Sequence, residues 1–113
     1  MGGGKEEDGV AQVTIVYWRD IPAQVIAGKG RRGAKRALPE RFEQAIDRCA
    51  MRVGKKDADA YLAEWRKAPP REVPGSDAEA ADAEAARLDA EYDQARLKAL
   101  VENDGRDAAR APA

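Results

Sequence analysis

Lys29, Arg31, Arg32, Lys35 and Arg36 place five cations in the run Gly28-Lys29-Gly30-Arg31-Arg32-Gly33-Ala34-Lys35-Arg36, with no acid among them. Ammonium and guanidinium groups gathered this closely attract anions: a phosphate, a carboxylate, a nucleic-acid backbone or an acidic protein surface. The glycines also fit the pattern G-x-G-x-x-G, which in a dinucleotide-binding fold permits a tight turn and close approach of the backbone to a pyrophosphate. Here Pro39 stands where the early turns of the following helix should run, and the next strand of a βαβ unit is missing, so dinucleotide binding is not expected. A simpler use remains, in which the loop's N–H groups and cations hold a phosphate or carboxylate. The same cations could neutralise nucleic-acid phosphates. Against that, no aromatic residue interleaves with the run, and no helix-turn-helix, zinc-finger or base-stacking motif accompanies it.

The remaining residue types offer little to catalysis. Histidine is absent and Cys49 is the single cysteine. That removes the usual general base at neutral pH, the Ser-His and Cys-His pairs, an intramolecular disulfide and any multi-cysteine zinc site. No catalytic residue, metal ligand or cofactor is therefore assigned, and the chain is not expected to be an enzyme. Cys49 falls on the inner face of a helix and reads as a small core residue. Asp57 and Asp59 read as cap and dipole partners at a helix N-terminus. Tyr17, Trp18, Tyr61 and Trp65 are expected to pack in the core in preference to forming a ligand cage.

The elements that must position the loop are few. Apolar residues are 43% of 113, but much of that share is alanine, so the core is expected to be small and confined to about residues 10–73. Domains of about 60 residues bury only ~60% of the surface their unfolded chains expose. Stability is therefore expected to need the C-terminal helix or a partner. Residues 1–9 read as a flexible leader and 105–113 as a disordered tail. Ala11 to Trp18, β-branched and aromatic with both faces apolar, predicts a central or covered strand. After a turn over Arg19-Asp20-Ile21-Pro22, which the proline favours, Ala23 to Gly28 predicts a second strand in a hairpin. Leu38, Phe42, Ala45, Ile46, Cys49 and Val53 recur at the spacing of one helical face, with Pro39 in the first turn and Gly54 as the stop. A shorter helix capped by Asp57 carries Ala58, Tyr61, Leu62 and Trp65 on one side, and Arg71-Glu72-Val73 returns as an edge strand. The capping box Ser76-Asp77-Ala78-Glu79 opens one long helix to about Asn103. Its inner stripe is Ala81, Ala85, Leu88, Tyr92, Ala95 and Ala99.

The net charge of −1 conceals a division. Residues 19–56 hold eleven cations and four acids, a balance of +7, whereas residues 57–113 hold eight cations and fourteen acids, a balance of −6. The two halves could attract each other, or each could attract a different partner. No stretch approaches the ~20 apolar residues of a membrane span, and the polar, acidic N-terminus is unlike a signal peptide. The expected setting is the cytoplasm.

Val13-Thr14-Ile15-Val16-Tyr17-Trp18-Arg19-Asp20-Ile21-Pro22-Ala23-Gln24-Val25, followed by the basic loop and Leu38-Pro39-Glu40-Arg41-Phe42, resembles a bacterial family labelled the virulence factor domain. The resemblance covers about residues 11–68 and is to the single-domain, alphaproteobacterial type. The same kind of domain is found in the staphylococcal conserved virulence factor C, beside an iron–sulfur-scaffold-like domain and helical repeats that this chain lacks. The label implies no biochemical activity and brings no site residues with it. The resemblance implies that relatives of the single-domain type are encoded near corrinoid- and folate-linked methyl-transfer proteins, which would favour an accessory subunit with a methyl-transfer enzyme as a candidate partner.

The expected fold is α+β: a small antiparallel β-hairpin with a third edge strand, packed by two helices within residues 10–74, then the long amphipathic helix over 75–104. The expected function is that of a non-catalytic accessory or adaptor protein. It would bind an acidic protein surface through Lys29, Arg31, Arg32, Lys35 and Arg36, and a second surface through the helix face around Leu88 and Tyr92. The alternative is a module that binds phosphate or nucleic acid through the same loop.

Overall fold

The computed structural model describes residues 9–28, 33–55 and 57–107, so the leader as far as Asp8 and the tail beyond Asp107 lie outside the described residues. Strands β1 (Val10–Trp18) and β2 (Ile21–Ala27) form the antiparallel hairpin that their β-branched content favours. Its turn is Arg19-Asp20, the first two residues of the segment expected to turn. Pro22 sits inside β2, next to an irregularity where the register passes from Val16–Gln24 to Tyr17–Pro22; a bulge is where a strand tolerates a residue with no N–H to donate. Arg19 has φ +54°, uncommon for any residue but glycine. Both turn amides are anchored, Arg19 N–H to the Glu64 carbonyl at 3.1 Å and Asp20 N–H to the Gly105 carbonyl at 2.8 Å.

A third strand, β3 (Ala34–Ala37), pairs antiparallel with β2. Sequence places these residues in the basic loop, because Ala-Lys-Arg-Ala has no strand propensity of its own. The open edge of β2 recruits them. The basic loop therefore joins two paired strands and does not lead directly into a helix.

After α1 (Glu40–Arg52) and α2 (Ala58–Ala63) come β4 (Trp65–Lys67) and β5 (Arg71–Pro74). Both pair antiparallel with β1, at Val16–Trp18 and at Val10–Val13 respectively, so they lie end to end along its second edge, separated by Pro69 and Pro70. β5 is the edge strand that Arg71-Glu72-Val73 predicts. Trp65, expected on the second helix, belongs to β4, and Leu62 on α2 is 60% exposed.

On α1 the predicted face is inward: Phe42, Ala45, Ile46 and Cys49 are buried. Asp57 caps α2 by accepting the Ala60 N–H at 2.9 Å, and Ser76 and Glu79 make both bonds of the capping box at the start of α3 (Asp77–Glu91). The single long helix does not form. Tyr92 leaves helical geometry (φ −106°, ψ 70°), and Asp93 starts α4 (Gln94–Glu102) by accepting the Arg96 N–H at 2.9 Å. The break resets the helical phase. Ala81, Leu88 and Tyr92 are buried as predicted, but Ala95 and Ala99 face solvent and Leu97, Leu100 and Val101 take the inner positions.

The result is α+β, a five-stranded antiparallel sheet in the order β3-β2-β1-β4 with β5 also on β1, and four helices. Ala11, Val13 and Ile15 of β1 share a buried face with Val25, Ala27 and Val73. Helix α3 packs across β1, β2 and β3, and α4 packs along α1. One core holds residues from the strands and from both C-terminal helices, which supplies the burial that residues 10–73 lack alone.

Candidate functional site

The residues that sequence singles out do not assemble into one site. Lys29, Arg31 and Arg32 lie outside the described residues. Lys35 and Arg36 are successive residues of β3 and point to opposite faces. Lys35 shares the exposed side with Ile26, while Arg36 shares Val25's side and its Nε lies 2.6 Å from Asp82 of α3. At the root of the loop, Gly28 has φ +85°, and a Cβ there would collide with the Asp77 carboxylate. Two acids of α3 thus stand against the basic hairpin. Leu88 is 1% and Tyr92 5% exposed. They form a core face of α3, and the expected partner face at these residues is corrected accordingly.

The same pattern extends across the molecule. Besides Arg36–Asp82, the basic and acidic halves are joined by Arg41–Asp89, Arg52–Asp104 at 3.1 Å, Arg19–Glu64 at 3.3 Å, Lys55–Glu64 at 3.6 Å and Asp20–Arg66 at 2.8 Å. The exposed pairs are each worth little, whereas Arg19–Glu64 is largely shielded from solvent. Together they engage Arg19, Arg36, Arg41, Arg52 and Lys55, five of the eleven cations of residues 19–56, with acids of the second half. The Tyr-Trp-Arg-Asp-Ile-Pro segment accordingly has a structural use: Arg19 also donates to the Asp104 carbonyl at 2.7 Å, and Asp20 accepts the Asp107 N–H at 2.8 Å.

Two of the cations left unpaired among the described residues, Arg48 and Lys98, lie on a groove of about 540 Å³ between α1 and α4. Its floor is apolar, formed by the buried Ala45, Leu97 and Val101, and its walls carry Arg41, Gln44, Arg48 and Arg52 from α1 with Gln94, Lys98 and Glu102 from α4. The four cations divide by role. Arg41 donates to the Asp89 and Tyr92 carbonyls (2.7 and 3.1 Å), and Arg52 to the Glu102 carbonyl (3.1 Å). Each thereby satisfies carbonyls left open at a helix C-terminus, where a cation also complements the dipole. Arg48 and Lys98 are exposed, one on each wall, and have no hydrogen-bond or ion-pair partner among the described residues. Among the described arginines, Arg48 is the one without an intrachain partner. Two free cations over an apolar floor, beside two amides, suit an extended anion-bearing chain that also has apolar surface to bury.

Cys49 is fully buried against α4's end and Arg19. Burial pushes its thiol up, and Asp104 adds to this against the opposing pull of Arg19, Arg52 and Arg106, so it stays a protonated thiol at neutral pH. This agrees with its reading as a core residue. Tyr17 and Trp18 are buried as expected, and Tyr61 and Trp65 are partly buried and pack against the core.

The groove residues had a readable signal that the basic loop overshadowed: Arg41, Gln44, Arg48 and Arg52 are spaced by three, four and four, one helical stripe. The α4 wall was not readable, because the break at Tyr92 changes which of its residues share a face.

The family described as virulence factor matches the chain over residues 16–101. The chain belongs to that family. The matched span runs beyond the resemblance at residues 11–68 and takes in α3 and nearly all of α4, so both walls of the groove fall within it. Comparison with curated proteins and with solved structures gave no match.

Proposed function

We propose that this member of the virulence factor family is a non-catalytic accessory protein that binds another protein, seating an acidic stretch of its partner in the α1–α4 groove. The observation that carries the reading is the pair Arg48 and Lys98, left free on facing walls in a chain whose other described arginines are all engaged internally. A carboxylate brought against them over Ala45, Leu97 and Val101 would be partly desolvated, which strengthens a charge-assisted hydrogen bond. Lys29, Arg31, Arg32 and Lys35 would add long-range attraction for the same partner. The proposed setting is the cytoplasm; among the described residues no helix is long and apolar enough to cross a membrane. The family resemblance makes a methyl-transfer enzyme the first partner to try.

Titration of a fluorescent Glu- and Asp-rich peptide by fluorescence anisotropy tests the reading. Binding should weaken with added salt and fall at least ~tenfold, about 1.4 kcal/mol, in R48E/K98E. Unchanged affinity in that variant would remove the groove from the interface. Tighter binding of an oligonucleotide of equal charge, lost in the same variant, would favour the phosphate or nucleic-acid alternative.

A further inference from the structure

On the side of α1 away from the basic groove lies a second, smaller pocket of about 270 Å³, lined by Ala23, Gln24, Leu38, Glu43, Tyr61 and Trp65 among others. The rings of Tyr61 and Trp65 have centroids 5.9 Å apart and planes 79° apart, so they form adjacent walls and do not stack shut. Tyr61 is braced from behind by Trp18, whose indole N–H donates to the Tyr61 carbonyl at 2.9 Å and whose ring lies 5.7 Å from Tyr61's. Among the described residues Glu43 has no hydrogen-bond or ion-pair partner, nor does Asp47 one turn further along α1, on the far side of Tyr61. The Gln24 side-chain amide has none among them either. Burial and these two carboxylates push the Tyr61 hydroxyl up.

We infer that this pocket receives a single arginine or lysine side chain of a protein partner, its cation against the Tyr61 and Trp65 rings and its donors on Glu43. Aromatic faces attract cations through the ring quadrupole, and an unpaired carboxylate beside them supplies the complementary charge. The lining selects the occupant: beside the two rings and Glu43, Ala23 and Leu38 suit an aliphatic stem leading to a charged head. This site does not depend on the acidic-peptide reading, since it uses other residues and ligand charge of the opposite sign.

The test uses the blocked tripeptides Ac-Gly-Arg-Gly-NH2, Ac-Gly-Lys-Gly-NH2 and Ac-Gly-citrulline-Gly-NH2, with tetramethylammonium as a free small cation, followed by amide and indole NMR shifts of the full chain. The arginine or lysine peptide should shift the Trp65 indole and the Glu43 and Gln24 signals saturably, and the neutral citrulline peptide should bind at least fivefold more weakly. E43Q, on an exposed helical position, should keep the folded spectrum, weaken the cationic peptides about fivefold and leave citrulline unchanged. Equal binding of citrulline and arginine, no effect of E43Q, or the absence of saturable shifts would each overturn the proposal. Tighter binding of tetramethylammonium than of either cationic peptide would overturn the side-chain assignment.

Discussion

Two buried groups carry most of what single residues can be asked to reveal. Glu84 is 3% exposed and is gripped by Arg71 (2.8 and 2.9 Å) and by Arg87. Burial alone would raise its pKa, but the hydrogen bonds from Arg87 and Arg71 outweigh it and hold the carboxyl below its ordinary value. A depressed folded pKa contributes stability above the unfolded value of ~4.3, lost as pH falls through the folded value. Chemical denaturation at a series of pH values should therefore show a decline on acidification that is shallower in E84Q. Some slope should persist from Glu64, which despite its own burial is held low by Arg19. At neutral pH, E84Q should cost about 1–2 kcal/mol, less than the ~3–5 of a fully enclosed pair because both arginines reach solvent. Cys49 gives an independent check of the core: a disulfide reagent should label it only as fast as the chain opens, and rapid labelling of the native protein would mean that α4 does not cover α1 as described. Cys49 was legible from its place on the apolar stripe of α1. Glu84 was not, because nothing local marks an acid of α3 as the partner of Arg71 on the sheet.

At the scale of elements, what was legible is what local chemistry decides. The β1–β2 hairpin, the inner face of α1, the Asp57 cap and the Ser76–Glu79 capping box all follow from side chains within a few residues of one another. The misses come from tertiary competition. Ala34–Ala37 becomes a strand because β2 offers an edge, and Trp65 leaves the helical phase of Tyr61 to pair with Trp18 of β1. The break between α3 and α4 lies between these cases. Alanine-rich sequence favours continuing the helix, yet Asp93 offers a cap, and restarting there lets Leu97, Leu100 and Val101 face the core instead of Ala95 and Ala99. Larger buried side chains favour the broken form. Replacing the cap, Asp93→Ala, should cost about 1 kcal/mol in thermal or urea unfolding; no loss, or a gain, would mean that the break does not depend on its cap.

For the whole molecule, the contrast between a basic first half and an acidic second half was plain in the sequence, and part of it is used internally. Asp82, Asp89 and Asp104, from α3 and from the turn after α4, meet Arg36, Arg41 and Arg52. Sequence alone could not subtract these pairs, so it assigned the densest basic run to a partner. Once they are subtracted, Arg48 and Lys98 stand out, on two helices whose juxtaposition depends on the unforeseen break. Isotope-labelled chain titrated with the Glu- and Asp-rich peptide, with its amide shifts mapped by NMR, tests that conclusion most directly. The largest changes should fall on Gln44, Arg48, Ala95 and Lys98 along the α1–α4 groove. Changes centred on Lys35 and the β2–β3 hairpin, with the groove silent, would contradict it.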